Sequence, residues 1–349
     1  MGLKLIPGLG NNRIKKLIQW FGCGEEVWNS SIENLLEVSG ISYDLAENIV
    51  VHRSKIDLQK KVNEIMEQGI KIILPEEYPE SLQEIYDSPV LLYAKGDVSL
   101  LNTRKLAVVG TRKITSYGDI VIKNIIPSVT RADITIVSGL AKGTDAKAHY
   151  RCLQEGGKTI AVLGNGLDII YPPENRELYK QISEKGLLIS EYPPELGPQK
   201  FHFPQRNRII SGLSEGVLVI EAPKKSGAMI TAQLALDQNR EVFAIPGNIN
   251  NPCSQGCNAL IAQGAKVVTD PDDILTEYNL TVNMLIEESK NRLSSSQKAI
   301  LEKIPYYEIS IDELLSSTNT DKDIYTCLLE LELNGWIMRR LGGYVIRIK

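Results

Sequence analysis

The feature that most limits how this chain can fold is a repeated alternation of short apolar runs with longer segments of helical length. The apolar runs are four to six residues long and are Lys105–Val109, Ile134–Val137, Lys158–Leu163, Val217–Ile220 and Val242–Ile245. The helical segments around them are Tyr117–Thr130, Asp145–Glu155, Glu174–Lys185 and Ser226–Asn239. Short apolar strands that alternate with helices predict βαβ units, so we expect an α/β fold with a parallel sheet and right-handed crossovers.

Small, polar or cationic residues follow each apolar run. In a parallel sheet the carboxyl ends of the strands meet at one edge, where ligands bind, so these residues would lie together. Glycine lets backbone amides approach a phosphate, and helix N-termini add partial positive charge. The candidate polyanion-binding residues are Arg112, Ser138, Gly139, Lys142, Gly143, Arg206, Asn207 and Arg208.

The segment Phe201–Leu213 carries the densest group of donors. Its two arginines flank an asparagine at a loop-to-helix junction, an arrangement of donors suited to phosphate oxygens. The alternative is that a helix begins here and that Arg206 and Arg208 pair with surface carboxylates. Phe201 and Phe203 stand directly upstream, where their rings could stack on bases, although a Phe before a proline is also typical of core packing.

Five motifs, in a fixed order, give the chain a specific resemblance. They are Val109-Gly110-Thr111-Arg112, Ser138-Gly139-Leu140-Ala141-Lys142-Gly143-Thr144-Asp145-Ala146-x-Ala148-His149, Phe203-Pro204-x-Arg206-Asn207-Arg208-Ile209-Ile210-Ser211-Gly212-Leu213, Ser226-Gly227-Ala228-x-Ile230-Thr231-Ala232, and Pro246-Gly247-Asn248 followed by Gly256-Cys257-Asn258-x-Leu260-Ile261-x-x-Gly264-Ala265. In this order they resemble the DNA-processing protein A family (DprA, also called Smf). The resemblance covers roughly Leu74 to Leu275.

The resemblance implies an extended Rossmann-like domain that binds single-stranded DNA. Members of the family protect incoming DNA and deliver the RecA recombinase onto it during natural transformation, and they are not known as catalysts. We therefore expect a cytoplasmic, non-enzymatic protein without a cofactor. Its expected partners are single-stranded DNA, RecA and a second copy of the chain in a homodimer, and the eight candidate residues would contact the DNA.

Composition agrees with an intracellular protein and limits the binding mode. The chain has 349 residues, 43% of them hydrophobic, which is enough for two or three domains. Its cysteines are scattered, Met1–Gly10 lacks a signal-peptide core, and no apolar run reaches the ~20 residues that span a bilayer. Cys253 and Cys257 have no second Cys or His pair, so we expect no metal. With a formal net charge of -4, attraction to phosphate must be local.

Three domains are predicted. Residues 1–66 contain short helical patterns around two glycine-centred hairpins and resemble a sterile-alpha-motif (SAM) or helix-hairpin-helix module. Residues 67–286 form the extended Rossmann-like DNA-binding domain, and residues 287–349 a linker followed by a winged helix. In the winged helix, Asp321–Leu333 is acidic, which disfavours insertion into a DNA groove, whereas the hairpin Gly335–Lys349 is basic. A protein-interaction role for this domain is favoured.

Other functions lack residues that they need. No G-x-x-x-x-G-K-[ST] loop occurs, and the turn after Val109 has one glycine where a dinucleotide fingerprint needs three. The alternative is a nucleotide-binding or phosphoribohydrolase protein similar to the LOG family. Pro223–Thr231 keeps the small-residue turn of that family but lacks its glutamate, which argues against hydrolysis and leaves nucleotide binding open. We interpret His149 as a structural helix residue, because no partner for base catalysis accompanies it.

Overall fold

The computed structural model describes residues 1–280, 293–316, 324–340 and 342–348. The chain divides into two compact units, Met1–Ile274 and Leu275–Lys349. The predicted boundary after residue 286 lies outside the described residues, as do positions 321–323 of the predicted acidic helix and Lys349 of the hairpin. The first unit contains both the segment before residue 67 and the sheet, and the three-domain division stays a prediction.

Five short helices precede the sheet within the described residues. They are α1 Asn11–Phe21, α2 Gly24–Asn29, α3 Ile32–Leu36, α4 Tyr43–Arg53 and α5 Leu58–Glu67. Ser31 and Ser42 cap α3 and α4 by accepting backbone N–H groups of the first turn. The helices share a small apolar core that includes Leu17, Leu35 and Ile49. The assignment of this segment to a SAM or helix-hairpin-helix module stays a prediction.

A mostly parallel sheet forms the centre of the first unit. Its strands are β1 Lys71–Ile73, β2 Leu92–Gly96, β3 Lys105–Val109, β4 Thr135–Ser138, β5 Thr159–Leu163, β6 Leu187–Ser190, β7 Gly216–Val219, β8 Glu241–Ala244 and β9 Lys266–Val267. Among the described residues they lie in the order β1-β2-β6-β5-β4-β3-β7-β8-β9. Strands β3 to β9 run parallel to one another, whereas β1 and β2 extend one edge in antiparallel pairing. The predicted α/β, Rossmann-like fold is confirmed.

The central strands are apolar because helices cover both of their faces. All residues of β3 and β5 are buried. Lys105, the first residue of β3, is buried as well, and its ammonium donates to the carbonyl oxygens of Leu101, at 2.9 Å, and Thr103. Burial lowers the pKa of Lys105 to about 8, although Glu215 opposes the shift.

Further helices lie between and after these strands. They are α6 Glu80–Gln83, α7 Ser116–Arg131, α8 Thr144–Gln154, α9 Arg176–Lys185, α10 His202–Leu213, α11 Gly227–Asp237, α12 Gln255–Ala262 and α13 Asp272–Glu277. The starts of α8, α10 and α11 contribute to the sheet's carboxyl edge. Helix α10 packs against α11 and is buried from Arg206 to its end. None of the described helices is long and apolar enough to cross a membrane.

The second unit has its own helices and a small sheet. The described helices are Ser295–Lys303, Ile311–Ser316 and Ile324–Leu333, and the strands are Ile309–Ser310, Ile337–Arg340 and Tyr344–Arg347. The last strand lies between the other two in antiparallel pairing. Leu301, Leu328 and Val345 are fully buried in its core. The winged-helix assignment stays a prediction.

Candidate nucleic-acid interface

A cleft opens at the carboxyl edge of the sheet, between the loops that follow β3, β4 and β7. Its volume is about 320 Å³. Strand β3 lies between β4 and β7, so the chain connections diverge at this point of the sheet. Open α/β sheets bind ligands at such switch points. Phe203 and Asn207 of α10 and Ala228 of α11 complete the lining of the cleft.

The loop between β4 and α8 is held from inside by Asp145. Its Oδ2 accepts the N–H of Gly139 at 3.1 Å and that of Ala141 at 3.4 Å. Burial raises the pKa of this carboxyl, against the opposing effects of Arg206 and the two backbone donors. The Gly139 amide, which the sequence predicts as a donor to a polyanion, is therefore engaged within the protein.

Gly143 brings the same loop against the loop that follows β3. Its φ is +78°, and a Cβ at this position would lie 2.5 Å from the carbonyl oxygen of Thr111. A residue with a side chain would be strained here and would also clash with backbone. Thr144 donates its N–H to the same Thr111 oxygen at 3.2 Å. Gly143 thus joins two of the loops that form the cleft.

Arg206 lies beneath the cleft, with 4% of its surface exposed. Its Nη1 donates to the carbonyl oxygens of Gly139, at 2.8 Å, and Val162, and its Nε donates to Asn207 Oδ1 at 3.2 Å. Burial lowers the pKa of the guanidinium to about 10, although Asp145 opposes the shift. Arg206 therefore ties together the backbone at the ends of β4 and β5, and a small part of its surface reaches the cleft.

Three other predicted residues also have partners in the protein. Ser138 is fully buried and donates its hydroxyl to Val108 O at 2.6 Å. Asn207 lines the cleft, and its Nδ2 donates to Gly227 O at 3.4 Å, which links α10 to the start of α11. Lys142 is exposed and pairs with Glu174. Because an exposed ion pair is weak, the charge of Lys142 stays accessible to a ligand.

Arg208 points away from the cleft. Its Nη2 donates to both carboxylate oxygens of Glu191, at 2.8 and 2.9 Å, and its Nε donates to Asp87 Oδ2 at 3.0 Å. Burial lowers the pKa of Arg208, but Glu191 and Asp87 outweigh that effect and raise it above its ordinary value. The structure brings Arg112, Arg206 and Asn207 to one cleft and does not bring Arg208 there.

Exposed cations at the mouth of the cleft supply charge that the buried arginines do not. Arg112 follows β3 and lines the cleft together with Lys200. Lys224 and Lys225 are exposed in the loop after β7, next to cleft-lining Pro223. The sequence prediction included Arg112 and missed the three lysines. A lysine pair in the loop between an apolar strand and the next helix was the signal that could have identified two of them.

The N-terminus of α11 faces the same cleft. Ser226 caps this helix by accepting the Met229 N–H at 3.4 Å, and Ser226, Gly227 and Ala228 all line the cleft. First-turn amides have no partner within their own helix and carry partial positive charge. The cleft therefore combines flexible cationic side chains with fixed backbone donors, a combination that binds phosphate.

The Phe203 ring lies next to Arg112 and the Tyr171 ring lies against Phe203, and these two rings are called here the aromatic edge. Arg112 Cζ lies 5.9 Å from the centroid of the Phe203 ring. The centroids of Phe203 and Tyr171 are 5.6 Å apart, with 33° between the ring planes. Tyr171 is 39% exposed and Phe201, which precedes the edge in the chain, is 57% exposed. The sequence prediction considered both phenylalanines and missed Tyr171, because it lies on a separate loop.

His149 is not part of the cleft lining. It is fully buried, and its Nδ1 shares a 2.6 Å hydrogen bond with Thr159 Oγ1. Burial, with a smaller effect of Arg206, lowers the pKa of His149 to about 3, so the imidazole is neutral at ordinary pH. Fold and site together define a Rossmann-like α/β protein with a cationic, aromatic-edged cleft at the carboxyl edge of its sheet.

Comparison with known proteins identifies the family. The family model described as DNA recombination-mediator protein A matches residues 69–279. The chain belongs to this family, which confirms the resemblance predicted from the five motifs.

Its relatives include proteins of known structure. The DNA processing protein DprA of Streptococcus pneumoniae is 43% identical over 272 residues, which cover 78% of this chain and 94% of that protein. Protein Smf of Escherichia coli is 41% identical, over 77% of this chain and 75% of its own length. The X-ray structure of the S. pneumoniae protein matches with a TM-score of 0.71 over 78% of this chain and 95% of its own, at 40% identity. The structure of DNA processing protein A from Helicobacter pylori, solved to describe its single-stranded DNA binding mode, matches with a TM-score of 0.56. This match covers 63% of this chain and 96% of the H. pylori chain, at 31% identity.

Proposed function

We propose that this chain is a cytoplasmic, non-enzymatic protein that binds and protects incoming single-stranded DNA and delivers RecA onto it during natural transformation. The observation that supports DNA binding most directly is the cleft, where Arg112, Lys200, Phe203 and the start of α11 form one lining and exposed Lys224 and Lys225 directly precede α11. The single-stranded DNA binding of the H. pylori relative supports the same ligand.

The chemistry of the cleft fits a flexible polyanion. Phosphates of a single strand can meet Arg112, Lys200, Lys224 and Lys225 in turn, and a phosphate at the start of α11 gains from the first-turn amides. Contacts to phosphate carry no sequence information, so binding is expected to be independent of sequence. Bases that are not paired remain available to the aromatic edge.

The same chemistry supports a binder without catalysis. Asp145 is the carboxylate that lines the cleft, and it is occupied by the amides of Gly139 and Ala141. A general acid or base needs contact with the reacting atoms, which this arrangement does not offer. The LOG-like alternative requires a glutamate that is missing between Pro223 and Thr231. We therefore propose that the cleft holds nucleic acid and does not hydrolyse it.

Self-association and RecA delivery complete the proposal. Among the described residues, β9 is the outermost strand at its side of the sheet, and its Val267 is 42% exposed. A sheet edge with apolar side chains suits pairing with a second copy of the chain. RecA delivery is supported by the family resemblance, whereas the SAM or helix-hairpin-helix module and the winged helix are supported by the sequence patterns of residues 1–66 and 287–349. Light scattering tests the homodimer, and accelerated RecA assembly on a single strand tests the delivery.

Oligonucleotide binding across a salt series tests the central proposal. Fluorescent single strands should bind more tightly than a duplex of the same length. The Lys224→Ala/Lys225→Ala variant should lower the salt slope by roughly 0.7 for each phosphate that the lysines neutralise in the wild type. Lys180→Ala, an exposed lysine on α9 outside the cleft lining, is the matched control. Equal affinity for duplex, or turnover of a nucleotide, would contradict the proposal.

A further inference from the structure

We propose that Tyr171 provides a stacking surface for an unpaired base and thereby makes the cleft selective for single-stranded over double-stranded DNA. This inference rests on the proposed function, since it concerns the same cleft. It assigns a role in recognition to a residue that none of the five sequence motifs contains.

The loop that carries Tyr171 is fastened to the DNA-facing loop between β4 and α8. Asn175 Nδ2 donates to Leu140 O at 2.9 Å, and Glu174 pairs with Lys142. These contacts join the two loops on either side of the aromatic edge. The Asn175 hydrogen bond and the contact of the Tyr171 ring with Phe203 therefore place Tyr171 beside the cleft.

Phe203 is half-buried, whereas Tyr171 is exposed. A Cβ at Gly164 would lie 2.9 Å from Phe203 Cδ1, so the backbone of Gly164 packs directly against the Phe203 ring. Arg112 and Tyr171 contact the same ring from other directions, at 5.9 and 5.6 Å. Tyr171 keeps 39% of its surface exposed, which makes it the ring of the pair on which a base can stack.

Arg112 and Tyr171 contact one Phe203 ring, so the cation and the stacking surface are adjacent. A nucleotide that places its phosphate at Arg112 has its base within reach of Tyr171. In a duplex each base is already paired and stacked on its neighbours, and it must leave the stack to reach a protein ring. Tyr171 therefore adds affinity for a single strand and none for a duplex.

The test compares Tyr171 variants on three ligands of equal length: an oligothymidine, the same backbone carrying abasic sites, and a duplex. Tyr171→Ala should weaken oligothymidine binding by roughly five- to 150-fold, the range for removal of one base–aromatic stack. Tyr171→Phe should bind as wild type. On the abasic strand and on the duplex, Tyr171→Ala and wild type should have equal affinity. Tyr150→Ala, which removes an exposed tyrosine from α8 outside the cleft lining, should change none of the three.

The outcomes separate the proposal from the function on which it rests. An equal decrease in affinity on abasic and base-bearing strands would mean that Tyr171 only positions the cleft, and would overturn stacking. Wild-type affinity of Tyr171→Ala, while the Lys224→Ala/Lys225→Ala variant binds more weakly, would also overturn stacking and leave the proposed function intact. Failure of the wild type to bind any single strand would overturn both. If Tyr171→Ala lowers the melting temperature, Tyr171→Leu keeps the apolar bulk without the ring and should show the same pattern of weakened binding.

Discussion

Arg206 and Arg208 are two residues apart and have unrelated environments. Positions i and i+2 of an α-helix point to different sides, so one arginine reaches the backbone beneath the cleft and the other reaches Glu191 and Asp87. The alternative considered from the sequence, pairing with carboxylates, describes where Arg208 lies, although Glu191 is buried rather than at the surface. One short motif thus contains a residue that braces the cleft and a residue that anchors α10 elsewhere.

Burial of Arg206 predicts that it and Arg112 differ in their effect on stability. Arg206→Ala leaves the carbonyl oxygens of Gly139 and Val162 without this donor, at a cost of about 2–4 kcal/mol. For a domain of this size that lowers Tm by about 5–15 °C. Arg112→Ala removes an exposed side chain and should leave Tm unchanged while weakening single-strand binding by roughly ten- to a hundredfold. Calorimetry and fluorescence anisotropy check both, and an unchanged Tm for Arg206→Ala would show that its contacts are dispensable.

Lys105 predicts a pH dependence of stability. Its pKa is lowered from 10.5 to about 8 by burial, so between these values the unfolded chain binds a proton that the folded chain does not. The contribution of Lys105 to the free energy of unfolding therefore rises as pH increases from 8 to 10.5, by roughly 2–4 kcal/mol in total. Denaturant unfolding of wild type and Lys105→Met at several pH values isolates this contribution. A constant difference between the two proteins across that range would contradict the assigned pKa.

At the scale of elements, the sequence predicted the parts of the sheet and could not predict its order. The continuous apolar runs made β3, β4, β5, β7 and β8 visible, since strands covered on both faces are apolar throughout. Strand β6 was missed because Gly186 alone separates Leu187–Ser190 from helix α9, and β9 was missed because it has two residues. The order β4-β3-β7 depends on long-range pairing, which leaves no periodic signal. For the same reason the loop of Tyr171 could not be placed beside Phe203.

The close approach of two loops at Gly143 gives a prediction at this scale. Gly143→Ala adds both backbone strain, because φ is +78°, and a clash 2.5 Å from Thr111 O. Gly156→Ala is the matched control, because its φ of +72° brings the same strain while nothing lies within 4 Å of the added Cβ. Backbone strain should destabilise each variant by about 1 kcal/mol. The clash with Thr111 O should destabilise Gly143→Ala further. Only Gly143→Ala should weaken single-strand binding, and equal effects of the two variants on binding would show that the loop contact is unimportant.

At the scale of the first compact unit, a partly buried polar network connects the N-terminal helices to the sheet. Asn11 Nδ2 donates to Glu191 Oε1 at 2.5 Å, Lys4 Nζ donates to Asn11 Oδ1 at 2.8 Å, and Glu191 accepts from Arg208 of α10. Burial lowers the pKa of Lys4, while Glu191 opposes the shift. Glu191 is 4% exposed and is the common partner of residues from both segments. The sequence did not reveal this network, because its members are far apart in the chain.

Neutralising Glu191 should therefore loosen the attachment of the N-terminal helices. Glu191→Gln keeps the shape but leaves the buried Arg208 without a full counter-charge, which is strongly destabilising locally. Hydrogen exchange of the α1 amides should accelerate by roughly ten- to a hundredfold, as local opening becomes easier. The control is Glu195→Gln, which breaks the exposed ion pair between Glu195 and Lys61 of α5. It should change the hydrogen exchange of the α1 amides little. Protection of α1 that is unaffected by Glu191→Gln would show that apolar packing alone holds the helices.

The bracing of the cleft by Arg206 and Asp145 has a consequence for the kinetics of strand capture. Both side chains form hydrogen bonds with the backbone of the loop after β4. Arg206 donates to the Gly139 carbonyl oxygen, and Asp145 accepts from the amides of Gly139 and Ala141. The ordering entropy of that loop is thus lost when the chain folds and not when the strand arrives. A preorganised receptor of this kind leaves conformational adjustment to the flexible DNA. Encounter is then governed by electrostatic steering toward the exposed lysines, and the association rate constant should fall as ionic strength rises.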